Sequence, residues 1–452
     1  RVFRITGGKA LHGAVRVHGA KNAALPVLAA TLLTDDECVI ENVPAIADIR
    51  VMVEVLRHLG ASVEQGEEGR LVVRASQIGS RTTPDDLARR LRGSFLVMGP
   101  LLARFGEASA STPGGCAIGA RPVDVPVRGF RQLGAEVATV DGRFSASGRL
   151  HGANLLLDYP SVTGTENLMM AAVLADGVTV MENASSEPEV TELVTLLQAM
   201  GARIRWIGPG TVAIQGVPRL HGVAYRLLPD RLEAGTYLLA GAITAGDVTV
   251  ERVVPRHLHA VTVKLTEAGA RVDETDAALR VRLERPLTAV DVRTYPYPGF
   301  PTDLQQPFGA LLTQAVGESM IQETMYSNRL GYAVELVKMG AQVLVEAGLV
   351  PGQVGRQTRI ALLPVAAALL ETIAASTDAL DLTIEPLGEG SQTIFPTRKP
   401  EVLHGFALKV GVGSALGDPS QRGSGLRRVT ADAAAAPPTD RRAAPCRSAR
   451  SE

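Results

Sequence analysis

Five times along this chain a helix-periodic apolar stretch ends in Gly-Ala and passes within two residues to Val or Ile. The first copy reads Ile49-Arg50-Val51-Met52-Val53-Glu54-Val55-Leu56-Arg57-His58-Leu59-Gly60-Ala61-Ser62-Val63. The others close at Leu133-Gly134-Ala135-Glu136-Val137, Met200-Gly201-Ala202-Arg203-Ile204, Ala268-Gly269-Ala270-Arg271-Val272 and Met339-Gly340-Ala341-Gln342-Val343. Glycine just past a helix takes the left-handed cap without Cβ strain, and the β-branched residue that follows opens a strand. A second signature precedes most copies: an apolar helix, a polar turn and a β-branched strand, as in Ala175-Asp176-Gly177-Val178-Thr179-Val180 and Ala245-Gly246-Asp247-Val248-Thr249-Val250. A third, Leu-His-Gly-Ala/Val, begins at Leu11, Leu150 and Leu220. Each unit is therefore a mixed β/α module of roughly seventy residues, too long for the common solenoids, and such modules pack their helices together inside a domain.

At 452 residues the chain exceeds what one core supports, so two large domains are expected. Aromatic residues make up only 4%, which leaves the interior to Ala, Val, Leu and Ile. A net charge of −1 gives no general reason to expect nucleic acid or a membrane surface as partner. Cys38, Cys116 and Cys446 form no disulfide framework and no C-x-x-C pair, which points to a reducing compartment without structural zinc. No run of about eighteen apolar residues and no signal-peptide pattern is present, so the expectation is a cytoplasmic protein. H-E-x-x-H, Walker A and strand-anchored G-x-G-x-x-G are all missing, and no metal or other cofactor is expected.

The repeat stops early. From about Ala347 the period is lost; residues 359–386 offer an apolar helix and a strand-like Leu382-Thr383-Ile384, but no Gly-Ala closure. From about Asp418 onward Pro, Ala, Ser and Arg dominate, and residues 418–452 read as a disordered tail.

Five polar places stand at the turns of this scaffold. In Pro113-Gly114-Gly115-Cys116-Ala117-Ile118-Gly119-Ala120-Arg121-Pro122-Val123-Asp124 a thiol sits in a glycine-rich loop that can fold over a ligand, and the nearby cation favours its thiolate. The plainer reading makes Cys116 a small buried residue. Lys21 and Asn22, in Gly19-Ala20-Lys21-Asn22-Ala23, open an apolar helix and form an anion cradle, or else Asn22 is a helix cap beside a solvated lysine. Arg92 ends a basic run at Gly93-Ser94, where surface arginines are equally common. Ser161-Val162-Thr163-Gly164 enters a helix with hydroxyls and backbone N–H groups suited to diphosphate. Asp303, in Phe300-Pro301-Thr302-Asp303, stands at a proline-shaped helix start as an N-cap or a fixed carboxylate base, and Asn328-Arg329 adds a cation.

Together with Leu228-Pro229-Asp230-Arg231-Leu232-Glu233-Ala234-Gly235 and His18-Gly19-Ala20-Lys21-Asn22-Ala23, these motifs resemble the peptidoglycan-type enolpyruvyl transferases over about residues 3–345. The resemblance implies an α/β fold of two inside-out domains, each a barrel of three β/α units, with the last unit degenerate here. It places the first domain at residues 20–228 with its catalytic loop at 113–124, and the second at 1–19 and 229–417, atypical after 346. It implies transfer of enolpyruvyl from phosphoenolpyruvate to the 3-hydroxyl of UDP-N-acetylglucosamine, both small molecules. Cys116 would protonate phosphoenolpyruvate and be alkylated by fosfomycin. Lys21, Asn22 and Arg121 would hold the phosphate and carboxylate. Arg92, Arg121, Pro122, Val123, Asp124, Val125, Ser161, Val162, Thr163 and Gly164 would bind the UDP-sugar, with Met325 along the nucleotide. Arg329 would join the substrate site, and Asp303 would accept the sugar proton. The family's later Asp-Leu-Arg-Ala and Asp-Arg-Gly-Tyr-Glu segments do not occur after Val345, as in a shifted reading frame or a fusion scar. The alternatives are a non-catalytic UDP-sugar-binding relative, or an enolpyruvyl transferase acting on another uridine nucleotide.

Overall fold

The structure, a computed structural model, describes residues 9–114, 123–326, 328–349 and 356–363, with the backbone alone for 346–349 and 356–363. All of them lie in one compact unit.

Every Gly-Ala closure is a left-handed turn, with φ of 110°, 99°, 100°, 102° and 94° at Gly60, Gly134, Gly201, Gly269 and Gly340. At the first, the Gly60 N–H donates to the Arg57 carbonyl and the Ala61 N–H to that of Leu56, both at 3.0 Å. The same two bonds recur at Gly134-Ala135, Gly201-Ala202 and Gly340-Ala341. They satisfy carbonyls that a helix end leaves open and turn the chain straight into a strand.

The unit these caps build is clearest in the middle of the chain. Strand Asn154–Leu156 runs parallel to Val178–Glu182, with the helix Val162–Ala172 as the crossover a parallel pair requires. After the helix Pro188–Ala199, the antiparallel hairpin Arg203–Gly208 and Thr211–Gln215 returns to the other side of Val178–Glu182. The same order recurs in the other three four-stranded sheets. In the fifth, three-stranded sheet, a single bridge from Thr82 to Ser109 stands where the first strand would be. The strands form five separate sheets among the described residues rather than one closed ring.

The helices that lead into the second strand of a unit are buried nearly all round: Lys21–Ala30 from Ala23 to its end, and Val162–Ala172 from Gly164. Small side chains allow this. A Cβ on Gly99 would lie 2.3 Å from the Asn167 carbonyl oxygen, where the Gly99 N–H instead donates to Asn167 Oδ1 at 3.0 Å.

Two of the units borrow their first strand from far along the chain. His12–Arg16 pairs with Asp247–Glu251, and Ala224–Arg226 pairs with Glu37–Glu41. The chain therefore crosses twice between two apolar cores, one drawn from Ala20 to Leu227, the other from Val17 and from Ala234 to Ala333. The two crossings run side by side. Gly19 and Pro229 form an antiparallel bridge, flanked by Ala20 N–H to the Leu228 carbonyl at 2.9 Å and Asp230 N–H to that of His18 at 2.8 Å. Gly19 must be glycine, because a Cβ there would sit 1.8 Å from the Asn42 carbonyl oxygen.

One expectation changes. Residues 359–363, expected to begin an apolar helix, are strand: Gln342–Leu349 pairs along its whole length with Arg356–Leu363, which also pairs with Ser319–Glu323. The loss of period from Ala347 and the helix from Arg359 do not hold up to Leu363. Extended backbone there follows from two flanking strands, a non-local cause that local apolar runs do not reveal. Residues 364–452, with the strand-like 382–384 and the tail 418–452, lie outside the described residues, as does Cys446.

Candidate active site

The double crossing sets the first group of polar residues. Lys21 is the first residue of its helix, and the preceding Ala20 offers no side-chain cap. The cap comes from across the crossing, where Asp230 Oδ2 accepts from the Lys21 N–H at 3.1 Å. Oδ1 of the same carboxylate accepts from Leu232 and Glu233 N–H at 2.8 and 3.1 Å, capping the helix Arg231–Ile243. One carboxylate thus fixes two helix starts. Burial pushes the Asp230 carboxyl up from its ordinary value, and these three N–H groups pull it back. Lys21 Nζ lies 3.5 Å from Asp48 Oδ2, so the lysine is paired and only partly exposed. Asn22 is the second helical residue, not a cap, because the capping position falls on Ala20.

A second group gathers around Tyr159. Its hydroxyl donates to Asp124 Oδ1 at 3.1 Å, at the start of the helix Asp124–Gln132. Burial and the Asp124 charge raise the Tyr159 phenol to about 12, while the positive charge of Arg92 and a hydrogen bond with Ser161 oppose the rise. Ser161 caps the helix Val162–Ala172 by accepting from Gly164 N–H at 3.1 Å. Gly164 permits that helix to meet its neighbour, since a Cβ would lie 2.5 Å from Val125 Cγ1. Arg92, Asp124, Val125, Ser161 and Gly164 are thereby brought together, with Val162 and Thr163 in the same helical turn and Val123 buried just before Asp124. Cys116, Arg121 and Pro122 lie outside the described residues. Gly114, the last described residue before them, donates its N–H to the Ala88 carbonyl at 3.0 Å, four residues before Arg92.

A third group surrounds Asp303. It lies inside a single turn of 3-10 helix, Thr302–Leu304, with Pro301 at the capping position and no side-chain cap. The N-cap expectation therefore fails; the Asp303 carboxylate faces Arg329 and forms an ion pair with it. Asp303 is 42% exposed and Arg329 only 11%, so the carboxylate keeps an open side while its partner is held. Buried Glu323 organises the surroundings. It accepts from Thr302 Oγ1 at 2.8 Å, Thr294 Oγ1 at 3.0 Å and the Met325 N–H at 2.7 Å, which sets the Met325 backbone close to the Asp303 turn.

Next to Asp230 lies a carboxylate cluster that sequence reasoning missed. Arg231, 8% exposed, binds Glu189 with two nitrogens at 3.0 and 3.2 Å and Glu187 at 2.6 Å. Asp230 and Arg231 belong to the Leu228 to Gly235 motif, yet nothing local to Glu187 or Glu189, some forty residues away, marks them as its partners. Tyr159, Asp48 and Glu323 were missed for the same reason.

Glu192 is a separate buried acid in the same helix as Glu189. Its Oε1 accepts from Leu228 N–H at 2.7 Å, and burial pushes its carboxyl up to about 8. Above the ordinary carboxylate value near 4.3, the unfolded chain releases this proton while the folded chain retains it. Stability is then lost as pH rises toward 8, by at most about 1.4 kcal/mol per pH unit. Glu192→Gln is expected to flatten that loss. Denaturation midpoints of both proteins between pH 5 and 8 check it, and parallel curves would contradict it.

Among the described residues no cluster of three His, Cys, Asp or Glu side chains has metal-binding geometry, and no helix is long and apolar enough to cross a membrane. Cys38 is buried, which pushes its thiol up to about 11 and leaves it a poor nucleophile.

The family model described as EPSP synthase (3-phosphoshikimate 1-carboxyvinyltransferase) matches residues 5–367. The UDP-N-acetylglucosamine 1-carboxyvinyltransferase of Magnetococcus marinus is 48% identical over 345 residues, covering 76% of this chain and 82% of that one. That of Acidobacterium capsulatum is 49% identical over 346 residues, covering 75% and 79%. Among solved structures, the enolpyruvyl transferase NikO from Streptomyces tendae superposes with a TM-score of 0.71 at 25% identity, over 82% of this chain and 90% of that one. EPSP synthase from Acinetobacter baumannii shares the fold, with a TM-score of 0.60 at 19% identity over 80% and 84%. By identity over three quarters of its length, and by a fold of repeated β/α units common to both solved enzymes, the chain belongs to the enolpyruvyl transferase family, on its UDP-N-acetylglucosamine 1-carboxyvinyltransferase branch.

Proposed function

We propose that this protein transfers the enolpyruvyl group of phosphoenolpyruvate to the 3-hydroxyl of UDP-N-acetylglucosamine and releases phosphate, the first committed step of peptidoglycan synthesis. The observation that carries this reading is the 48–49% identity to enzymes of that name over about 345 residues. Identity of that order favours it over a non-catalytic relative or a different uridine nucleotide.

The three polar groups divide the work. Arg92, Asp124, Val125 and the Ser161 to Gly164 turn, with Val123 beside them, take the nucleotide, and Met325 offers its backbone along it. Arg121 and Pro122 complete that side. Lys21, Asn22 and Arg121 balance the phosphate and carboxylate of phosphoenolpyruvate. The Asp303 carboxylate, oriented by Arg329, takes the proton of the sugar 3-hydroxyl as its oxygen bonds to C2 of phosphoenolpyruvate. Cys116 delivers a proton to C3, so the double bond becomes a tetrahedral adduct. Cleavage of the C2–O bond to phosphate and loss of a C3 proton then restore the double bond as an enol ether. Residues 20–228 form one lobe and residues 1–19 with 229–417 the other, joined at the double crossing, with residues 113–124 closing as a lid against water. We assign the protein to the cytoplasm, where a free thiol such as Cys116 stays reduced.

The test is phosphate release from phosphoenolpyruvate with UDP-N-acetylglucosamine as acceptor. Turnover that needs both compounds, and a covalent fosfomycin adduct that Cys116→Ser abolishes, are the expected results. Folded protein that releases no phosphate, or an adduct that survives Cys116→Ser, would overturn the reading.

A further inference from the structure

We propose that Glu187 is a positioning residue for Asp303: its carboxylate ties the start of the Pro188–Ala199 helix to the backbone of residues 295–301, the segment that leads into the Asp303 turn. This rests on the reading of Asp303 as the base. Glu187 Oε1 accepts from the Tyr297 N–H at 3.1 Å, across 110 residues of sequence. Its Oε2 accepts from Arg231 at 2.6 Å, so both oxygens are committed and the carboxylate cannot turn freely. Arg231 in turn donates two hydrogen bonds to Glu189 and lies 5.9 Å from the Tyr297 ring centroid. Ser186 Oγ donates to the Tyr297 carbonyl at 3.4 Å, so both polar groups of the Tyr297 backbone are held by neighbouring residues of the first core's chain segment.

The held segment behaves as one piece. Tyr295 N–H donates to the Phe300 carbonyl at 3.0 Å and Gly299 N–H to that of Pro296 at 2.8 Å. A Cβ on Gly299 would lie 2.4 Å from Tyr295 Cβ, so the loop closes tightly on itself. At its far end Phe300 is buried edge-on to Phe308 at 5.2 Å, and Leu304 N–H donates to the Pro301 carbonyl at 3.0 Å across the Asp303 turn. A pull at Tyr297 is thus passed to Asp303 through a closed loop rather than a slack one. A misplacement of a base by a fraction of an ångström is enough to slow proton transfer.

The experiment compares the full-length wild type with Glu187→Ala and Glu187→Gln. Amide exchange of the peptide covering residues 295–304 reads the placement, and steady-state kinetics reads its consequence. A hydrogen bond to a charged group is strong enough that Glu187→Ala should speed exchange there by roughly tenfold or more. It should lower kcat by at least about tenfold, with both KM values within about threefold. Glu187→Gln keeps an oxygen for Tyr297 but turns its NH2 toward Arg231, so it should recover part of the exchange loss and part of the loss in kcat. Unchanged exchange in Glu187→Ala, or no recovery in Glu187→Gln, would overturn the proposal. Should Glu187→Ala not fold, Glu187→Asp decides by the same two readouts, because it withdraws the carboxylate by one methylene. Exchange needs no turnover: a wild type that releases no phosphate but shows the expected exchange sinks the functional reading alone, and normal turnover with unchanged exchange sinks this one.

Discussion

Asp303→Asn is expected to lower kcat by about 10²- to 10⁴-fold, the range a positioned general base contributes. The substitution keeps the shape of the side chain and leaves an oxygen facing Arg329, but an amide cannot take the proton of a sugar hydroxyl. The open side of Asp303, 42% exposed against 11% for Arg329, is where that hydroxyl would approach. Because the change acts on the bond-making step, KM for UDP-N-acetylglucosamine should move by less than about threefold. Single-turnover measurements with both substrates separate the chemical step from product release. Turnover within about tenfold of the wild type would remove Asp303 from the role of base.

The second large effect is structural. Arg231→Met is expected to destabilise the folded protein by about 3–5 kcal/mol, the usual result of removing one member of a buried ion pair. Methionine fills a similar volume but leaves Glu187 and Glu189 facing each other without a counter-charge. The pH dependence follows from that. In the variant both carboxyls should be pushed up, so the unfolded chain releases protons that the folded chain retains. The deficit relative to the wild type should therefore grow as pH rises above about 4.5 and shrink below it. Denaturant titrations at pH 5 and pH 8 measure it. A deficit below about 1 kcal/mol at pH 8 would show that the cluster is not held by its arginine.

Arg231 also marks the limit of what could be read in advance. The Gly-Ala closures were legible because a helix cap is a local event. A positive φ at Gly60 or Gly201 depends on two or three neighbours, and the strand that follows depends on the β-branched residues beside it. The positions of Lys21, Ser161 and Asp303 at turns were legible for the same reason. What those side chains do at the turns was not. Ser161 is the cap its type suggests, whereas Asp303 forgoes capping for Arg329, 26 residues on. Asp230 caps a helix more than two hundred residues upstream as well as its own. Residues 359–363 carry an apolar run that locally suits a helix, and only the two partner strands of Arg356–Leu363 impose an extended course.

By itself, then, the sequence determined the module, its repetition, the class of interior and the residues standing at the turns. Each of these is set by short-range sterics and by the period of apolar side chains. The tertiary structure alone decided that the chain crosses twice at Gly19 and Pro229, and that Glu187 and Glu189 meet Arg231, two residues past that crossing. The reason is physical: a buried charge must find its opposite wherever the fold brings one, and desolvation penalises an unpaired group regardless of how many residues separate it from its partner.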